Sequence, residues 1–132
     1  MLLTFHGIYY TYYNISQAGS FMISLTRREE QVLLVIWELK DNAYLVSIMK
    51  YLTQLTGSNW SLGVVQKPIL QLERKGYITT YMGESSAIRG GRRKKMCRIT
   101  EKGINALKKL KEEQDLFWKK FLEAEILKYP LK

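Results

Sequence analysis

SLGVVQKPILQLERKGYITTYM, Ser61 to Met82, is the stretch from which the rest of the chain can be read. Leu62, Val65, Ile69 and Leu72 recur at steps of three and four, which marks one apolar face of an α-helix. At about 100° per residue the opposite face carries Gly63, Lys67, Gln71 and Arg74. Gly76 can take the left-handed conformation that ends a helix. The pattern then becomes extended. Tyr77 to Met82 is β-branched and aromatic, a loop with Gly and Ser runs to Gly90-Gly91, and Arg92 to Ile99 returns as a second strand. The expectation is a helix with a polar outer face followed by a hairpin with a basic tip.

Pro68 lies inside that helix, where it deletes a hydrogen bond and clashes with the carbonyl four residues back, at a cost of about 3 kcal/mol. The apolar phase nevertheless continues through it, so we expect one kinked helix with a loose carbonyl near Val64. The competing reading starts the regular helix near Lys67 and leaves Ser61 to Gln66 as a separate turn.

Charge is concentrated in the same region. Residues 61–100 hold nine Lys or Arg against Glu73 and Glu84, a balance of +7 out of +9 for the 132-residue chain, whereas residues 1–60 balance at four of each sign. A localised cationic patch calls for a polyanionic surface, and double-stranded nucleic acid is the first candidate. Gly63, Lys67, Gln71, Arg74 and Lys75 are the helix residues expected to meet it, with Ser61 as N-cap and phosphate holder. Arg89, Arg92, Arg93, Lys94 and Lys95 are the hairpin residues, Gly90-Gly91 letting the backbone approach a phosphate or a minor groove.

Upstream, Thr26-Arg-Arg-Glu29 has the spacing of a capping box and opens a helix to about Leu39 whose Val32, Leu33, Val35, Ile36 and Trp37 leave little polar face. Asp41-Asn42 end it. A second helix is expected over about Tyr44–Thr56, with Leu45, Ile48, Met49, Leu52 and Leu55 inward and Gly57 as its stop. Trp37 and Trp60 read as core. Downstream, Thr100 caps a long helix running to about Leu127, with Pro130 beyond it. Leu110, Phe117, Trp118, Phe121 and Leu122 lie along one side of that helix with nothing in their own domain to cover them, which implies a partner, most simply a second copy.

The word order Trp60-Ser-Leu-Gly63, Ile69-x-x-Leu72-Glu-x-x-Gly76-x-Ile78, Gly90-Gly-Arg-Arg-Lys-Lys95 and Arg98-Ile-Thr-Glu-x-Gly103 resembles the PadR-like transcriptional regulators over about Leu25 to Leu107. Gln66, Leu45 and Met96-Cys97 depart from the family's usual Tyr, Gly and aromatic residues. The resemblance implies a mainly α fold with a small β-hairpin: a winged helix-turn-helix plus a long C-terminal dimerisation helix. It also implies a homodimer, repression at a promoter, and, in some members, a planar effector held against aromatics between subunits. The domain plan is an uncharged extension over 1–24, a winged helix over 25–100 and a dimerisation helix over 101–132.

The extension holds four tyrosines and fits neither a signal peptide nor a membrane span. With Met22 just ahead of the family-like start, it reads either as the product of an upstream start codon or as an arm packing on a neighbour. One Cys and one His fit a reducing cytoplasm and argue against a disulfide scaffold or a zinc site, so no cofactor is expected. No catalytic constellation stands out, and an enzyme is not expected. The alternative is a protein-interaction module whose basic face docks an acidic partner. RNA is the weaker option, since no aromatic platform interleaves the cations.

Overall fold

The computed structural model describes residues 25–84 and 93–128. Helix α1 spans Arg27–Leu39, a 3-10 turn follows over Lys40–Asn42, α2 spans Leu45–Thr56 and α3 spans Leu62–Arg74. Strands β1 (Ile78–Met82) and β2 (Lys95–Ile99) form an antiparallel hairpin, and α4 spans Glu101–Lys128. Residues Leu25–Leu107 make one compact unit, and the helix from Lys108 onward belongs to a second.

Local chemistry accounts for the boundaries. At the start of α1, Thr26 Oγ1 accepts from Glu29 N at 3.1 Å while Glu29 Oε2 accepts from Thr26 N at 3.3 Å, both halves of the expected box. Helix α2 stops at Gly57, which holds φ +72°. Helix α3 runs unbroken through Pro68, so the reading with a separate turn over 61–66 does not hold. The proline ring is itself buried, and this packing offsets the lost hydrogen bond.

The core of the first unit comes from Val32, Leu33 and Ile36 of α1, Ile48 and Leu52 of α2, Val65, Ile69 and Leu72 of α3, and Ile78 of β1. Each large aliphatic removed from water contributes about 1.5–3 kcal/mol. Trp60 is buried as expected, but Trp37 is 47% exposed with Lys40 Nζ 4.8 Å over its ring. Leu55 is 68% exposed and Leu62 also faces out, while Leu45 and Met49 are half-buried. The apolar run of α1 and the predicted inward face of α2 are therefore wider than the surfaces that bury them.

Two tertiary contacts position the hairpin. Cys97 N donates to Ala43 O at 2.8 Å, and Tyr44 bridges Met96, so the segment after the 3-10 turn lies beside β2 through one isolated antiparallel bridge. At the other end Thr100 N donates to Tyr77 O at 3.0 Å and Thr100 Oγ1 donates to Gly76 O at 2.8 Å, while Gly103 N donates to Thr100 Oγ1. Gly103 has no room for a side chain, because a Cβ there would lie 2.3 Å from Tyr77 O.

Candidate nucleic-acid interface

Helix α3 is held from beneath by Val65, Pro68, Ile69 and Leu72, and this fixes what faces outward. Exposed along it are Gly63, Gln66, Lys67, Leu70 and Arg74, while Gln71 is half-buried at the flank. The outward stripe thus includes Gln66, which was not among the residues predicted for the interface. Its position three residues after Gly63 was the available signal. Ser61 caps the helix, its side chain accepting from Val64 N at 3.2 Å, and remains exposed at the same end. A Cβ built on Gly63 meets nothing within 4 Å, so the first turn is open to an incoming surface.

The hairpin cations differ in how they are engaged. Arg93, Lys94 and Lys95 are exposed, whereas Arg89 and Arg92 lie outside the described residues. Lys94 Nζ sits 4.2 Å over the Tyr44 ring, and Arg98 sits 4.8 Å over Tyr81 with Asp41 at 3.6 Å. Lys95 lies 3.8 Å from Glu73, which also accepts a short hydrogen bond from Thr80. Such exposed pairs contribute less than about 1 kcal/mol, so these cations can turn to a phosphate at little cost.

Lys75 is set apart from the other cations. Its Nζ lies 2.8 and 2.7 Å from the two carboxylate oxygens of Glu29, a residue only 4% exposed, and this ties the C-terminus of α3 to the start of α1. The structure directs that charge inward, away from the outward stripe. Cys97 is buried behind the hairpin, and burial raises its thiol to about 11 against the opposing pull of Lys95. It stays protonated and unreactive at neutral pH.

On α4 the aromatics are open. Phe117 is 78% exposed, and Trp118, Phe121, Leu122, Ile126 and Leu127 are all more than half exposed, while Leu110 is half-buried. Trp118 and Phe121 meet edge to face with ring centroids 5.8 Å apart. Among the described residues no helix is long and apolar enough to cross a membrane, and no cluster of His, Cys, Asp or Glu could hold a metal.

One helix, a 3-10 turn, two more helices, a two-stranded hairpin and a long final helix, in that order, decide the comparison with known proteins. The fold is that of the PadR-like regulators. A PadR-like regulator from Bacillus cereus superposes with a TM-score of 0.56 at 19% identity, over 75% of this chain and 89% of that one. A PadR-family regulator from Clostridium difficile gives 0.54 at 24% identity, over 74% and 97%. A transcriptional regulator from Clostridium thermocellum gives 0.58 at 23%, over 82% of this chain and all of that one. At these identities the likeness is one of fold. Neither a family model nor a curated protein matches the sequence.

Proposed function

We propose that the chain is a sequence-specific regulator of transcription that binds double-stranded DNA as a homodimer, represses by occupying a promoter, and acts in the cytoplasm without catalysis. The observation that carries this reading is the outward stripe of α3. Gly63, Gln66, Lys67 and Arg74 are small, amide and cationic residues on a helix held against the core through Val65, Pro68, Ile69 and Leu72, beside a hairpin whose described end is exposed and basic. Gln pairs in two places with adenine, and Lys or Arg with guanine, in the major groove, while cations on the wing neutralise phosphates without reading sequence.

Helix α4 supplies the second element of the reading. Its exposed aromatic stripe is the apolar surface for a second copy, so that two α3 helices reach successive major-groove faces of one duplex. The edge-to-face pair Trp118–Phe121 is the surface on which a planar effector would stack between subunits; no other cofactor is needed.

A mobility-shift assay on the duplex upstream of the gene, against a scrambled duplex of equal length, tests the reading. We expect preferential binding of the first, with Gln66→Ala and Gln71→Ala eroding the preference. Retention on heparin with no preference among duplexes would instead favour an acidic protein partner.

A further inference from the structure

A cleft of about 380 Å³ opens beside the first turn of α3, lined by Arg27, Arg28 and Gln31 of α1 and by Ser58, Asn59 and Trp60 of the turn before α3. Among the described residues no carboxylate lines it. By sequence this region is neutral, because Glu29 and Glu30 follow the two arginines. In the fold, however, Glu29 is turned into the core and bound by Lys75, which leaves Glu30 as the one neighbouring acid at the surface beside two arginines.

The cleft is also organised. The Arg28 guanidinium lies 4.3 Å over the Trp60 ring. That ring is buried and fixed by its own Nε1, which donates to Thr56 Oγ1 at 2.9 Å, and Thr56 Oγ1 in turn donates to Leu52 O at 2.7 Å. A guanidinium stacked on an aromatic face keeps its in-plane N–H groups free for an acceptor, and the planar fork matches phosphate oxygens in two places. Ser58 and Asn59 add the neutral donors that commonly contact DNA phosphates.

Val64, in the first turn of α3, borders the same cleft, which ties it to the helix face assigned to the groove. A helix about 10 Å across nearly fills a major groove about 12 Å wide, so the phosphates flanking the groove come within one side chain's length of the turn that precedes the helix. We propose that this cleft is a phosphate clamp, in which Arg27 and Arg28 hold a backbone phosphodiester of the duplex next to the groove that α3 enters. The assignment rests on the DNA-binding reading above.

The test is a double variant of the full chain, Arg27→Gln with Arg28→Gln, measured by fluorescence anisotropy on the upstream and scrambled duplexes from about 50 to about 200 mM salt. We expect affinity to fall about tenfold on both duplexes alike, and the slope of log affinity against log salt to shrink by about two. If the double variant does not melt cooperatively, Arg27→Gln alone leaves the stacked Arg28 in place and should remove about one from the slope. Wild-type affinity and slope retained in a folded variant would overturn the clamp while leaving the DNA reading intact. So would a variant with an unaltered slope whose melting temperature, unlike that of the wild type, no longer rises with inorganic phosphate at matched ionic strength; the cleft would then take free phosphate. A wild-type chain whose binding is flat with salt would fail the DNA reading itself, and the clamp with it.

Discussion

The unit Leu25–Leu107 and the helix from Lys108 onward resolve the same conflict in opposite ways. In the first, the large aliphatics of three helices and the hairpin are buried and most of the cations face out. In the second, Phe117, Trp118, Phe121, Leu122, Ile126 and Leu127 stand exposed. The first unit closes a core of its own and leaves Trp37, Leu55 and Leu70 exposed among its outward polar and cationic side chains. The second has apolar surface left over. Under the proposed function the two take chemically different partners, a polyanion for the first and an apolar surface for the second.

The sharpest way to break this contrast is to remove the leftover apolar surface. Changing Phe117, Trp118 and Phe121 together to Ser should raise the self-dissociation constant more than about a hundredfold, given about 2 kcal/mol or more for each aromatic hot spot. Sedimentation equilibrium reads it, and unchanged self-association would mean these residues do not form the partner surface.

The next effect probes how tightly the first unit is closed. Gly103→Ala places a Cβ 2.3 Å from Tyr77 O, where the hairpin and the start of α4 have no slack. Overpacking of this kind costs about 2–3 kcal/mol, and a denaturant melt should show it. An unaltered midpoint would show that the contact relaxes freely.

Lys75→Met asks whether a cation in the basic region serves the core or the ligand. Because the Lys75 side chain is 30% exposed and that of Glu29 only 5%, leaving the carboxylate with Thr26 N but without its cation should cost about 2 kcal/mol, less than breaking a fully buried pair would. Duplex affinity and its salt slope, measured well below the melt, should stay as they were. A large loss of affinity without loss of stability would return Lys75 to the interface.

The smallest effect has opposite signs in the two readouts. Gly63→Ala adds a methyl to open space in the first turn of α3 and should stabilise the free protein by about 0.5 kcal/mol, less than the same change in a helix interior. The same methyl intrudes on the approach of α3 to the groove and should weaken duplex binding about fivefold in anisotropy titrations, a cost of about 1 kcal/mol. Stabilisation with unchanged affinity would remove the first turn of α3 from the contact.

These expectations also mark what the sequence could and could not convey. Periodicity located α3, and the local chemistry of Thr26, Gly57 and Gly76 marked the start of α1 and the ends of α2 and α3, because each depends on residues at most four apart. Lys75 was indistinguishable from Arg74 by such rules, since its partner Glu29 is 46 residues away. Trp37 and Leu55 belonged to apolar runs wider than the surfaces that cover them, and a run does not show which of its members will be left outside. The same limit hid Gln66, one step in phase from the predicted stripe. Arg27 and Arg28 looked neutralised by two adjacent acids, and the fold turns one of these, Glu29, inward.

The most direct test of α3 as a major-groove reader is dimethyl sulfate protection on the upstream duplex, because this reagent methylates guanine N7, the atom that Lys or Arg would contact in that groove. We predict two protected patches whose centres are about 10 base pairs, or a whole multiple of that, apart. Full methylation at every guanine in a saturated complex, or protection confined to a single patch, would contradict the account.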